Sequence, residues 1–240
     1  MSPRSLLDVS LALRDKIDTF LAHDAESPLL RRVQAQLRIS IAVVDEALSK
    51  FQPEEIALSY NGGKDCLVLL VVILARFSVR PAESPTNTTA DNTVTTSNGT
   101  TKPSKVPQQL QSVYIVPPHP FPEVDAFVAS SGAEYHLDVD RYSLPMKEGL
   151  EAYLADRPSV KAIFVGTRRT DPHGEKLTHF DPTDAGWPAF MRIHPGYTSL
   201  GGTRDTHPNP QLKIKGENGR EFRPAYELTE DDEERLGRDR

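Results

Sequence analysis

Cysteine is almost missing from this 240-residue chain, which has only Cys66. One thiol excludes a disulfide framework and any zinc centre built on several cysteines, and it is compatible with a reducing compartment. Tryptophan is equally scarce, with Trp187 alone. There is no basic excess either: 28 Lys and Arg stand against 34 Asp and Glu, a formal charge of −6. That balance gives no global pull toward nucleic acid or an anionic membrane, so neither is expected as a partner, and a small anionic ligand requires a locally built site. The longest apolar run, Leu67 to Ala75, ends at Arg76, far short of the roughly 20 residues that cross a membrane. Arg4, Asp8, Arg14 and Asp15 interrupt any apolar stretch at the start, so no secretory leader is expected and the expected location is cytoplasmic. The seven histidines are scattered without an HxxxH pair, which leaves no helical metal motif.

What is present suffices for a single domain over 1–240, with 38% of residues hydrophobic. Residues 5–22 place Leu6, Leu7, Val9, Leu11, Leu13, Ile17 and Leu21 at a spacing nearer to 3.6 than to 2, and about 29–51 is helical in the same way with Val33, Leu37, Ile41, Val44 and Leu48 on one face. These two helices form an N-terminal extension over residues 1–52. Beyond Gln52-Pro53 the pattern changes to short apolar strands alternating with helices. Strands are expected at Ile56–Tyr60, Ser112–Val116, Tyr135–Val139 and Lys161–Val165, with helices at Asp65–Ser78, Val124–Ser130 and Leu144–Leu154. This order predicts an α/β fold, a Rossmann-like parallel sheet with helices on both faces. Ligands of such sheets bind beyond the carboxyl ends of the strands, so the loops after Tyr60, Val116, Val139 and Val165 are expected to share one cleft.

Two regions break the rhythm. Residues 81–111 read as a disordered insertion, because Ser84 to Lys105 holds eight threonines and only Ala90 and Val94 as apolar side chains. The acceptor patterns at Asn87-Thr88-Thr89 and Asn98-Gly99-Thr100 are read as chance products of that tract. From Asp171 to Gly219 turn residues abound and no stretch offers a helical face, giving an irregular C-terminal region. Glu227 to Arg240 is expected to hold a short helix closed by Gly237.

The sharpest chemical signal is Ser59-Tyr60-Asn61-Gly62-Gly63-Lys64-Asp65, which leaves a strand and opens a helix. Two glycines permit positive φ and close backbone approach, so successive N–H groups can surround one anion at the positive end of the helix. Lys64 adds a cation and Ser59 a hydroxyl. The spacing is not that of the Walker loop, since Asp65 follows the lysine. Read without ligand, Asp65 is a helix N-cap and the glycines serve a tight turn.

Ser-x-x-Gly-Gly-Lys-Asp resembles the pyrophosphate loop of the PAPS reductase-like ATP pyrophosphatase group, and Ser59 to Cys66 resembles its eukaryotic, fungal-type FAD synthase branch. Three further stretches carry the same resemblance. They are Phe164-Val165-Gly166-Thr167-Arg168-Arg169-Thr170-Asp171-Pro172, Gly196-Tyr197-Thr198-Ser199-Leu200-Gly201-Gly202 on to Pro208-Asn209-Pro210, and Arg223-Pro224-Ala225-Tyr226-Glu227-Leu228 with Glu234-Arg235-Leu236-Gly237-Arg238. The resemblance implies an adenine nucleotide alpha hydrolase-like fold and an FMN adenylyltransferase, which moves AMP from ATP to the FMN phosphate and releases pyrophosphate. It implies ATP and FMN as substrates, Mg²⁺ as cofactor and a monomer. An ionised phosphate oxygen is already a nucleophile, so positioning and charge neutralisation must supply the rate.

Roles follow by position. Ser59, Gly62, Gly63 and Lys64 cradle the leaving pyrophosphate, and Asn61 matches the family's catalytic asparagine. Asp65 and Asp171 match carboxylates of the phosphate and magnesium region, with an Asx-turn as the alternative for Asp171. Arg235 and Arg238 match arginines that grip phosphate; by composition alone they are a solvated charge run. Gly166 and Arg168 end the fourth strand, where backbone can read adenine and a guanidinium can reach phosphate. Trp187, Arg192, Tyr197, Ser199 and Gly201 fall in the flavin or second-loop region, although Trp187 could equally pack in the core. Cys66 reads as a small core residue. The family continues into a tryptophan-containing helix and a strand before Gly-Tyr-Thr-Ser-Leu-Gly, whereas here Pro195 runs directly into Gly196; a segment is therefore missing between 195 and 196. The alternatives to an active FAD synthase are an impaired nucleotide- or flavin-binding remnant and a PAPS reductase-like enzyme. The latter chemistry calls for a late reactive cysteine, which the chain lacks.

Overall fold

The computed structural model describes residues 4–78, 107–166, 177–195 and 210–213. The elements follow from local chemistry. Helix α1 (Leu6–Ala22) starts with a capping box: the Asp8 N–H donates to Ser5 Oγ while Asp8 Oδ2 accepts from the Ser5 N–H. Helix α2 (Pro28–Lys50) has Pro28 in its first turn and Ser27 as cap, accepting from the Leu30 N–H. Buried Gln34 of α2 donates from Nε2 to the carbonyls of Phe20 and His23, both at 2.8 Å, so α2 satisfies the end of α1. Val33, expected on the packed face of α2, is 44% exposed, because at this turn Gln34, one residue on, takes the inward position; Val44 and Leu48 further along are buried.

Strand β1 (Ile56–Ser59) leads into α3 (Lys64–Phe77), followed by β2 (Leu110–Ile115), α4 (Pro122–Glu134), β3 (Leu137–Tyr142), α5 (Met146–Asp156) and β4 (Ala162–Phe164). Two strands absent from the sequence reading complete the sheet, β5 (Phe180–Pro182) and β6 (Met191–Ile193). The order is β3-β2-β1-β4-β6-β5, parallel throughout except for β5, which pairs antiparallel with β6. The α/β expectation holds, with a mixed edge. The hairpin β5–β6 was invisible in sequence because each strand has three residues, too few to show a period.

Alternation along β1 divides the core. Ile56, Leu58 and Tyr60 join α1, α2, α3 and Val128 of α4 on one face, whereas Ala57 packs with Val113, Ile163, Leu150 and Tyr153 of α5 on the other. Helices on both faces are thus confirmed. Helix α3 is the most deeply set, with Leu69, Leu70, Ile73, Leu74 and Ala75 all fully buried. Its partner ion pair, Arg76 with Asp45 of α2 at 2.6 and 2.8 Å, ties the N-terminal extension to it.

Several boundaries move. Strand β2 opens at Leu110, so the insertion expected to run to 111 stops earlier; residues 81–106 lie outside the described residues. Strand β3 begins at Leu137 rather than Tyr135, because α4 continues to Glu134 with Tyr135 as its cap. Among the described residues of 171–219 no α-helix forms, as expected. The helix expected in 227–240 lies outside the described residues, and no described helix is long and apolar enough to cross a membrane.

Candidate active site

Strand order reverses direction at β1: the chain moves outward through β2 and β3, then returns across to β4 on the other side. The carboxyl ends of β1 and β4 are therefore the switch point where a parallel sheet leaves a crevice. The Ser59–Asp65 loop and the Val165-Gly166 end of β4 meet there, since β1 and β4 pair Leu58 with Phe164.

The loop is fastened on three sides. The Tyr60 N–H donates to the Val113 carbonyl at 2.9 Å, continuing the sheet one residue past β1. Its ring is fully buried, and its hydroxyl lies 2.8 Å from Ser131 Oγ of α4. Gly62 has φ +71°, and a Cβ there would lie 2.8 Å from Val128 Cγ2 and 3.4 Å from the Val124 carbonyl oxygen. Only glycine satisfies both the left-handed backbone and the close approach of α4. The Gly63 N–H donates to Asn61 Oδ1 at 3.0 Å, and the Gly63 carbonyl accepts from the Leu67 N–H, starting α3. With Oδ1 held in this way, the two protons on Asn61 Nδ2 remain for a ligand.

Gly63 is the helix N-cap residue and makes no side-chain cap, so Asp65 is not the cap that sequence allowed. It sits inside the first turn, with its side chain 13% exposed, and Oδ1 accepts from Lys64 Nζ at 3.0 Å. Lys64, 61% exposed, is thus placed beside the loop with its charge balanced by Asp65. The Ser59 side chain makes no hydrogen bond with a described residue. Cys66 is buried, and desolvation pushes its thiol up to about 11, so it stays protonated and unreactive at neutral pH, as a core residue should. A hard carboxylate at a helix N-terminus suits Mg²⁺ carried on phosphate oxygens, while no cluster of three or more His, Cys, Asp or Glu among the described residues would hold a metal by itself.

The second-loop residues divide. Trp187, 42% exposed, lies in a turn closed by its N–H donating to the Asp184 carbonyl, so it does not pack in the core. Arg192 donates to Asp184 carboxylate oxygens and the Pro182 carbonyl, which makes it the latch of the β5–β6 hairpin. Arg168, Asp171, Tyr197, Ser199, Gly201, Arg235 and Arg238 lie outside the described residues. Sequence reasoning missed Tyr60 and Ser131, although Tyr60 continues the two-residue alternation from Ile56 and Leu58. Leu144 and Met146, 45% and 53% exposed, are apolar side chains that follow β3.

The fold and this loop define an α/β domain with a glycine-rich turn at the switch point, between its first strand and its first sheet helix. A family model for the phosphoadenosine phosphosulfate reductase domain matches residues 55–197, from the approach to β1 to just beyond β6. A probable FAD synthase of Schizosaccharomyces pombe is 35% identical over 248 residues, covering 92% of this chain and 86% of the relative. The chain belongs to the FAD synthase family, a branch of the phosphoadenosine phosphosulfate reductase domain group. A crystal structure of Candida glabrata FMN adenylyltransferase with FAD and pyrophosphate superposes with a TM-score of 0.81 at 24% identity, covering 98% of each chain, which shows the shared fold. The same enzyme in complex with ATP is similar at 26% identity and a TM-score of 0.70, over 89% of this chain and 76% of that one.

Proposed function

We propose that this chain is an FMN adenylyltransferase, forming FAD and pyrophosphate from ATP and FMN. The observation that carries the reading is the single turn at the switch point: left-handed Gly62, Gly63 opening α3, Asn61 Nδ2 free to donate, and the Lys64–Asp65 pair beside them. In the reaction an FMN phosphate oxygen bonds to the α-phosphorus of ATP. The bond from that phosphorus to the bridging oxygen breaks, and pyrophosphate leaves with the electron pair. The loop N–H groups and Lys64 hold the departing pyrophosphate, and Asn61 donates to the α-phosphate as its charge builds. Asp65 would hold Mg²⁺ together with phosphate oxygens, and the ion would supply neutralisation of the triphosphate. Asp171, Arg168, Arg235 and Arg238 are proposed to complete the phosphate contacts, with Gly166 at the adenine and Trp187, Tyr197, Ser199 and Gly201 toward the flavin. Arg192 acts through the hairpin it latches.

The same reading includes a family segment missing between Pro195 and Gly196. Two facts support it. The alignment with the fission-yeast relative is longer than this whole chain yet spans only 92% of it, so that relative has residues without a counterpart here. His194, just before the junction, is 6% exposed with neither ring nitrogen hydrogen-bonded, although Nε2 lies 3.8 Å from Asp181 Oδ2. Incubating the purified chain with FMN, ATP and Mg²⁺ and separating flavins by chromatography tests the activity. FAD with equimolar pyrophosphate is expected. Absence of FAD from this chain and also from one carrying a family-like insert after Pro195 would overturn it, and equal turnover of the two would remove the missing-segment reading alone.

A further inference from the structure

An acidic protein has to gather cations to receive an anion, and the described structure does so a second time, at the opposite end of the sheet. A hollow of about 380 Å³ lies between α1 and the turn from α4 into β3. Its polar lining is Arg4 just before α1, Lys16 on α1 and His136 from the turn, with Glu134 as the one acid. Its apolar lining includes Val9, Leu13 and the partly buried ring of Tyr135. Arg4, Lys16 and His136 make no side-chain hydrogen bond or ion pair with a described residue; the nearest charge acting on Arg4 is Asp8. The hollow opens before β3 begins at Leu137, so it faces the amino ends of the parallel strands, roughly 15–20 Å of strand away from the phosphate loop.

The turn itself is unusual. His136 has φ +54°, the sole non-glycine described residue in the left-handed region, at the position just past the α4 cap where glycine is favoured. A β-carbon there costs stability, and such a cost persists where the side chain is needed. His136 lines the hollow together with Arg4 and Lys16.

We propose that this hollow is a second ligand site, for a small organic anion whose flat apolar body lies along Val9, Leu13 and Tyr135 and whose anionic group sits among Arg4, Lys16 and His136. The volume fits a molecule of that size, and a shallow apolar floor with a few convergent polar groups is the usual construction of such a site. Glu134 on the rim selects against ligands carrying a second, outward-facing anion. The site is separate from the nucleotide cleft, so it is independent of the activity proposed above.

The test uses 8-anilinonaphthalene-1-sulfonate, a flat aromatic monoanion whose fluorescence rises on binding, with the whole chain. One saturable equivalent is expected, together with amide shifts clustered in residues 4–16 and 133–137. Lys16→Glu and Arg4→Glu, both on exposed side chains, should each weaken binding about tenfold, the loss of one charge-assisted contact. Asn61→Ala should bind as the parent does. His136→Gly is the more discriminating variant: it should keep or raise Tm, by relieving the left-handed strain, while weakening the dye several-fold. Dye affinity unchanged in Lys16→Glu and His136→Gly, or shifts centred on residues 59–66, would overturn the proposal.

Discussion

Gly62 and Gly63 are neighbours in one loop, yet the structure predicts opposite consequences for placing alanine at each. At Gly62 the backbone is left-handed, which costs an L side chain about 1–2 kcal/mol. The new Cβ also enters to 2.8 Å from Val128 Cγ2, with the Val124 carbonyl oxygen at 3.4 Å, an overpacking term of about 1–3 kcal/mol. Gly62→Ala should therefore lose about 2–5 kcal/mol, or roughly 4–20 °C of Tm for a chain of this size. At Gly63 the backbone is ordinary and the only close group is the Asn61 carboxamide, with Oδ1 at 3.0 Å. Gly63→Ala should cost about 1 kcal/mol or less, the difference between glycine and alanine at a helix N-cap. The displaced carboxamide no longer aims Nδ2, so FAD formation should fall by at least tenfold. Urea unfolding and the chromatographic FAD assay read the two effects separately. A further variant isolates the contact: in Gly62→Ala with Val128→Ala, removing the opposing methyls should make the double loss smaller than the sum of the two singles. Equal destabilisation by the two glycine variants, or a Gly62→Ala protein as stable as the parent, would refute the steric reasoning.

Other outcomes follow from single groups. Asn61→Asp keeps an acceptor for the Gly63 N–H but has no amide protons, so turnover should drop about 100-fold or more while Tm changes little; a near-normal rate would remove Asn61 from the α-phosphate. Cys66→Ala should retain turnover within a few-fold, and iodoacetamide should fail to label the folded parent, because the buried thiol titrates at about 11; rapid labelling at neutral pH would contradict that burial. Burial lowers His194 to about 4 from an unfolded 6.5, so between these values the unfolded chain binds the proton first and stability falls as pH drops. The loss is about 3 kcal/mol across the window. His194→Gln should flatten the pH dependence of urea unfolding between 6.5 and 4, and an unchanged slope would assign that dependence to carboxylates instead.

How legible the molecule was in sequence depended on the length of each signal. The helix-forming period of residues 64–77 and the continuous apolar strands located β1, α3 and β4 closely, and the loop between β1 and α3 was readable because its function requires particular residues in order. Tyr60 escaped because its contribution is to reach Ser131, a partner 71 residues away that no local pattern announces. Arg192 looked like a ligand group because an arginine beside aromatic and glycine residues usually faces solvent. In the structure its guanidinium meets Asp184, eight residues back across a hairpin whose strands are too short to detect. Val33 shows the converse: it is apolar at helical spacing, but the inward position of that turn is held by Gln34, whose carboxamide is needed by the carbonyls that end α1.

The two margins of the sheet have a consequence for how this protein behaves in crowded solution. An open strand edge invites another chain to add to it, the first step toward aggregation. One margin is β5, three residues long and ending in Pro182, which has no N–H to offer. The other is β3, six residues long, whose Asp138, Asp140 and Arg141 are all engaged by Arg157 or Asp125 and would have to surrender charged contacts to admit a newcomer. Both margins of the described sheet are thus poor templates for strand addition, and the exposed apolar side chains of the described N-terminal extension, Leu29, Leu30 and Val33 on α2, are interspersed with Arg31 and Arg32.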